Sequence, residues 1–176
     1  MEKNILITIL VLCISLLSCA QDNPLPGRKE KKEVARIFGA ETDLIQISFQ
    51  QAQPSVLSYQ KEGDKVFVLQ NEGAVNGFLL TSRAPGKFEY FNYSVIYSPD
   101  LSILNVTILV YRSTNGAGIC SKGWLKQFIG YRGEDLTLGK DIDAVSGGTI
   151  SANSLLGDLK RCYSLMTSMK KSGMLE

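Results

Sequence analysis

The chain has 176 residues, of which 44% are hydrophobic, and this is enough material for one domain core rather than two. Its 19 lysines and arginines nearly balance 17 aspartates and glutamates, so the net charge of +2 is far below that of a typical nucleic-acid-binding protein. The sequence contains no histidine, which excludes His-based catalytic triads and the usual zinc and haem sites. We therefore expect a single domain that binds neither nucleic acid nor a metal ion.

The N-terminus has the pattern of an export signal. Lys3 precedes an uninterrupted apolar run from Ile5 to Leu17, which at thirteen residues is too short to span a bilayer comfortably. The sequence "LLSC" at its end resembles the bacterial lipobox, which implies a lipoprotein signal peptide over residues 1–18 and lipid on Cys19. An ordinary secretory signal with a chance cysteine is the alternative. We expect a lipid-anchored protein of the bacterial cell envelope, outside the cytoplasm.

The segment that follows is polar and basic. Residues 20–33 contain two prolines, a glycine and a run of charged residues, so residues 19–33 are predicted to be the lipidated cysteine and a tether. The globular domain is predicted over residues 34–172. A short helix in "KEVARIFGAE" opens it, with Val34, Ile37 and Phe38 on one side and Gly39 at its end.

Strand-like runs occupy the centre of the chain. Alternation of apolar and polar residues predicts a strand from Leu44 to Phe49, and "VLSYQKEGDKVFVL" reads as two short strands around a turn. The sequence "GFLLTSR" predicts another strand. Two longer runs, "FEYFNYSVIYS" and "LSILNVTILVYRS", meet at Pro99 and Asp100 and suit an antiparallel pair with one face in the core. The expected fold class is α+β, with a meandering antiparallel sheet packed against the helices.

Two more helices are predicted near the C-terminus. The first follows a glycine-rich loop and carries Trp124, Leu125, Phe128 and Ile129. The second is an amphipathic helix that begins near Ser151. Its apolar stripe has the spacing of core packing, so its methionines receive no cofactor role. The stripe comprises Leu155, Leu156, Leu159, Cys162, Tyr163, Met166 and Met169.

Two cysteines, Cys120 and Cys162, remain in the predicted domain. In an oxidising envelope compartment they could form one disulfide. Two buried thiols that never meet are the alternative.

A glycine pair precedes the last helix in "DAVSGGTIS". Gly147 and Gly148 permit a close approach to the backbone, and Ser151 is placed to cap the helix. The N–H groups at a helix N-terminus attract anions, above all phosphate. The Thr149 hydroxyl would then lie where a phosphate rests. An ordinary capped turn is the alternative.

This stretch resembles the flavinylation motif of the FMN-binding domain family, represented by flavin-carrying subunits of the Rnf electron-transport complex and of the sodium-pumping NADH:quinone oxidoreductase. The family's motif runs acidic residue, two variable positions, Ser or Thr, Gly, Ala, Thr. The resemblance implies that Thr149 is esterified to the phosphate of FMN, with Asp143, Ser146 and Gly147 in register. Gly148 stands where the family usually has alanine. The implied cofactor site also includes Ile150 and Ser151.

The resemblance extends to the glycine-rich loop. In the family a Glu-Thr-Pro-Gly-Leu-Gly loop precedes a helix with an aromatic pair, and here Thr114, Gly116 and Gly118 match the loop. Trp124 follows as the implied neighbour of the flavin ring, and an ordinary core tryptophan is the alternative. Ser113 and Asn115 replace the usual glutamate and proline of this loop, so polar contacts to the ring would differ.

The family resemblance implies a redox carrier rather than a stand-alone enzyme. A separate flavin transferase would move the FMN moiety of FAD to Thr149 and release AMP in a magnesium-dependent step, with Asp143 and Ser146 positioning the acceptor. No side chain need act as an acid or base, since the cofactor carries the reaction. Envelope redox proteins would be its partners. The alternatives are a fold that has lost its flavin and acts as an interaction module, and a small flavin-dependent reductase.

Overall fold

The sheet is the centre of the fold. The computed structural model describes residues 26–175, so the predicted signal peptide and Cys19 lie outside the described residues. Five strands form one antiparallel sheet in sequential order, which confirms the predicted meander and the α+β class. The strands are β1 (Asp43–Ile47), β2 (Lys65–Asn71), β3 (Ala74–Pro85), β4 (Tyr90–Tyr97) and β5 (Ile103–Val110).

The helical elements flank this sheet. None of the helices within residues 26–175 is long and apolar enough to cross a membrane. The helices are α1 (Arg28–Phe38), α2 (Pro54–Leu57), α3 (Lys122–Leu125) and α4 (Thr149–Lys171), with 3₁₀ turns at Ala117–Cys120 and Lys126–Phe128.

Both faces of the central strands are covered. Phe67 and Leu79 on one face form a small core with Val34 of α1, whereas Val66 and Leu80 belong to the large core on the opposite face. The predicted single buried face is therefore wrong for β4, in which every residue from Tyr93 to Tyr97 is buried. A strand covered on both sides loses the alternation of apolar and polar residues.

Helix α1 begins at Arg28 rather than at the predicted domain boundary. The basic residues assigned to the tether therefore form its first turns, with charged side chains toward solvent and Val34 buried. Gly39 follows Phe38 with φ of 99°, a conformation that favours glycine, and this explains why the predicted helix end is confirmed.

Helix α2 replaces a predicted strand. Pro54 lies in its first turn, where the proline ring suits the helical φ and the missing N–H breaks no hydrogen bond of the helix. Val56 is fully buried, which fixes the short helix to the core. The alternation in "VLSY" arises from one buried valine rather than from a strand.

The helices after β5 largely follow the prediction. Trp124, Leu125 and Phe128 are buried, but Ile129 is 52% exposed because the chain leaves the 3₁₀ turn at that point. In α4 the stripe packs against the sheet, with its members fully or partly buried as predicted.

The predicted disulfide is wrong, because Cys120 and Cys162 are both free. Cys162 lies in the core with its sulfur 3.2 Å from the Tyr93 hydroxyl, and burial raises the pKa of its thiol to about 12. Cys120 lies on the exposed end of a 3₁₀ turn, in a cleft beside α1. The two thiols therefore occupy different surroundings on separate elements, and the alternative of two buried thiols is also wrong for Cys120.

Candidate functional site

Thr149 is the first residue of α4, and its side chain is exposed. The helix runs for 23 residues from this point, and the residue before it, Gly148, has no side chain to cap it. The first N–H groups of a helix lack partners within the helix, and the positive end of the helix dipole lies there. The threonine hydroxyl and several open N–H donors therefore share one helix end.

Ser151 does not cap α4, so this prediction is wrong. It lies in the first turn, only 3% exposed, and its Oγ lies 3.1 Å from the Tyr111 hydroxyl. Tyr111 also donates a hydrogen bond of 2.8 Å to the Asn115 carbonyl. This tyrosine thus connects the helix start to the glycine-rich loop. Sequence reasoning missed it, because a tyrosine just after a strand has no distinguishing spacing.

The two glycine-rich segments that the sequence placed in one site are in direct contact. Gly116 has φ of 74°, and a Cβ built on it would lie 2.6 Å from Gly148 Cα and 2.9 Å from the Gly147 carbonyl oxygen. Only a glycine fits this conformation at this distance. The loop that carries Thr114 is therefore packed against the turn that precedes Thr149.

Val145 fills the space between these segments. A Cβ on Gly118 would lie 2.7 Å from Val145 Cγ1, and a Cβ on Gly148 would lie 2.8 Å from the same atom. The Gly148 amide donates a 2.9 Å hydrogen bond to the Val145 carbonyl, which closes the turn. The resembled motif has alanine at the position of Gly148. In this chain the bulky side chain of Val145 takes up the space beside it.

Trp124 holds the loop that leads into the turn. Its indole N–H donates a 2.7 Å hydrogen bond to the Asp143 carbonyl, and its ring packs edge-on against Phe128 with centroids 5.2 Å apart. Gln127 also holds Asp143, because its side-chain oxygen accepts a 2.9 Å hydrogen bond from the Asp143 amide. Trp124 is only 7% exposed, so it acts as a packed support for the loop.

Several predicted site residues present open side chains around Thr149. Ile150 is 52% exposed, next to the threonine on the first turn of α4. In the two loops, the predicted site residues with exposed side chains are Thr114, Asp143 and Ser146. Ser113 is engaged within its own loop, where its hydroxyl donates a 3.0 Å hydrogen bond to the Asn115 carbonyl.

The β3–β4 hairpin also reaches this end of α4. A Cβ built on Gly86 would lie 3.4 Å from Ser151 Oγ, so the start of the hairpin abuts the first turn of the helix. Beyond it Phe88 is 76% exposed and Tyr90 is 54% exposed. Arg112 donates a 2.8 Å hydrogen bond to the Tyr90 carbonyl and joins the hairpin to β5. Sequence reasoning assigned no role to these aromatics, whose exposure a strand pattern cannot foretell.

The arrangement suits a phosphate ester on Thr149. The hydroxyl is exposed rather than used in a cap, the donors beside it carry partial positive charge, and the glycines leave the backbone open to close approach. The exposed Ile150 and the hairpin aromatics add apolar surface in the same region. The residues present therefore fit an FMN phosphate at this position.

The fold is similar to that of proteins with solved structures. No protein-family model matches the chain, and no curated protein matches it in sequence. Among six matching chains of solved structures is NqrC of Shewanella oneidensis, with a TM-score of 0.51 and 13% identity over 84% of this chain and 91% of that one. The chain has the NqrC fold.

Proposed function

We propose that the mature chain is a membrane-anchored electron-transfer protein that carries FMN covalently on Thr149. Two independent lines support this proposal. The sequence from Asp143 to Ser151 resembles a flavinylation motif, and the chain has the fold of NqrC. The observation that carries it is the exposed Thr149 hydroxyl at an uncapped helix N-terminus, against the Gly116 loop.

The chain's own residues would hold the cofactor's phosphate. In the proposal Thr149 supplies the ester oxygen, and the N–H groups of the first turn of α4 stabilise the remaining phosphate charge. Thr114 and Gly118 lie in the loop facing this turn and would contact the flavin. Once attached, FMN would supply one- and two-electron transfer, and the protein would orient it. A covalent link also retains the flavin outside the cytoplasm, where a lost cofactor could not readily be replaced.

Gly148 does not favour the alternative of a flavin-free interaction module. The missing methyl group is explained by Val145, whose Cγ1 lies only 2.8 Å from the position that an alanine Cβ would take. Thr149, Ser146 and Asp143, by contrast, remain exposed and available to a flavin transferase, the proposed partner that uses FAD. The other proposed partners are redox proteins of the envelope.

Co-expression with a flavin transferase tests the proposal. The full chain should become fluorescent under ultraviolet light in a denaturing gel, which only a covalent flavin survives. Thr149→Val removes the hydroxyl with little change in shape and should abolish the signal. Ser154→Ala removes another hydroxyl of α4 and serves as the matched control, which should label as strongly as the unmodified sequence. Equal labelling of the Thr149 variant would assign the flavin to another residue.

A further inference from the structure

A second, basic cleft lies between α1, β5 and the helical segment 117–128. Its volume is about 700 Å³, and its lining does not include Thr149. The apolar part of the lining is formed by Ile37, Leu104, Val106, Ile108, Leu125 and Ile129. Ile129 is half-exposed, so the apolar surface reaches the outside of the molecule.

Five cations surround this apolar surface. They are Lys29, Lys32, Arg36, Lys122 and Lys126, and among the described residues the sole carboxylate in the lining is Glu33. The cleft is therefore more positive than the whole chain, whose net charge is +2. Lysines of α1 and of the segment around α3 contribute to the same opening, so the charge is a property of the fold rather than of one sequence run.

Most of this charge is not neutralised internally. Glu33 pairs with Arg36 at 2.8 Å, and Lys29 donates a hydrogen bond of 2.7 Å to the Leu109 carbonyl. The side-chain ammonium groups of Lys32, Lys122 and Lys126 have neither an ion-pair nor a hydrogen-bond partner within residues 26–175. Unpaired ammonium groups around an apolar surface suit a ligand that is anionic at one end and apolar at the other.

We propose that the basic cleft docks onto anionic phospholipid at the membrane surface. The chain itself would bring the basic cleft to the membrane surface, a step that rests on the lipid anchor in the proposed function. Helix α1, one wall of the cleft, begins at Arg28, only nine residues after Cys19. Even fully extended, that connection spans at most about 30 Å. An acyl anchor combined with a basic patch is the two-signal arrangement that gives stable membrane attachment.

Docking of the basic cleft would also orient the flavin site. The 3₁₀ turn Ala117–Cys120 begins beside Gly116, which contacts Gly148, and it ends at Cys120 in the lining of the cleft. A four-residue turn with a rise of about 2 Å per residue spans about 8 Å. The docked molecule would therefore hold the Thr149 turn near the membrane surface, beside membrane-bound redox partners.

Vesicle sedimentation tests the proposal without the anchor or the flavin. The mature chain with Cys19→Ser is mixed with vesicles of phosphatidylcholine alone, or of phosphatidylcholine and phosphatidylglycerol in equal amounts. We expect binding only to the anionic vesicles, weakened by added NaCl. Replacing Lys32, Lys122 and Lys126 with glutamine should reduce the partition constant roughly 100-fold, since each lysine near the surface contributes about fivefold.

Matched variants make the result specific to the cleft. Lys140→Gln, Lys170→Gln and Lys171→Gln remove the same charge from exposed positions outside the cleft and should change binding less than threefold. A double variant, Lys122→Gln with Lys126→Gln, leaves α1 intact and should lose roughly 30-fold. Absence of binding to anionic vesicles, or an equal loss in the control, would overturn the proposal. Flavin attachment is scored separately by gel fluorescence, so either proposal can fail alone.

Discussion

At the scale of single residues, the glycine at position 148 is explained by its contacts. Its φ of −111° is open to any residue, so the backbone does not require glycine there. The requirement comes from neighbours: an added Cβ would lie 2.8 Å from Val145 Cγ1 and 3.3 Å from Gly116 Cα. The loss of a methyl group relative to the family motif thus accompanies a bulky valine three residues earlier.

Gly148→Ala should therefore destabilise the protein even though it restores the family motif. We expect overpacking to lower the free energy of unfolding by about 1–3 kcal/mol, measured by urea denaturation. The loss should shrink when Val145→Ala is introduced in the same chain. Gly157→Ala in α4 is the matched control, because nothing lies within 4 Å of a Cβ there. It should raise stability by about 0.5–1 kcal/mol. A Gly148→Ala protein as stable as the parent would contradict the packing account.

At the scale of elements, α4 joins the proposed flavin site to a buried charged cluster. Asp158 is 4% exposed and accepts hydrogen bonds from Tyr93 at 2.6 Å and Arg161 at 2.6 Å, together with an ion pair from Lys61. Arg161 also pairs with Asp64 at 2.7 Å. Burial alone would raise the pKa of Asp158, but the hydrogen bonds from Arg161, Lys61 and Tyr93 hold it below its ordinary value. The cluster fixes the rotation and height of α4 on the sheet, and hence the position of Thr149.

Asp158→Asn should destabilise the fold by about 3 kcal/mol, because it leaves the buried Arg161 with one carboxylate instead of two. The pH dependence of the free energy of unfolding tests the same role of Asp158. Since the folded pKa lies below the unfolded one, this aspartate stabilises the protein above about pH 4 and ceases to do so as pH falls through the folded value. The variant should lose that part of the acid dependence in urea titrations at successive pH values.

Asp135→Asn is the control for the charged cluster. Asp135 forms an ion pair with Lys160 of α4, but the Asp135 side chain is 88% exposed. Exposed ion pairs of this kind contribute little to stability. An Asp158 variant that unfolds no more easily than the Asp135 variant would contradict the structural role of the cluster.

Element types were predictable where the pattern was long, and element ends were not. The stripe from Leu155 to Met169 predicts α4, but the register of its first turn depends on Tyr111 holding Ser151, a contact 40 residues apart in sequence. The start of α1 was missed because charged residues on a solvent face resemble a tether. Helix α2 was missed because a single turn with one buried valine has no period to detect.

At the scale of the whole molecule, the sequence predicted the meander. Motif resemblance assigned two loops to one site, and the structure shows that these loops are in contact. Gly116 and Gly148 are 32 residues apart in sequence, yet they are in contact, which joins the loop after β5 to the turn before α4. The buried Asp158 cluster was not predicted, because its members come from α4, β4 and the loop before β2, and none has a distinctive spacing.

The proposed anchor is also a property of the whole molecule, since it places the domain on a membrane. In cells, the full chain should fractionate with membranes. The Cys19→Ser variant should instead be found mostly in the soluble fraction, or remain as uncleaved precursor. Ser18→Ala keeps a small residue before the cysteine and serves as the control, which should remain membrane-bound and processed. Processed, membrane-bound Cys19→Ser protein would contradict lipid attachment.

The most direct measurement is the mass of the tryptic peptide from Asp141 to Lys160 after co-expression with a flavin transferase. A known flavinylated domain in the same cells confirms that the transferase is active. We expect a peptide heavier by one FMN less one water, with fragment ions that place the addition on Thr149. An unmodified peptide, while the known domain is fully labelled, would contradict the central claim.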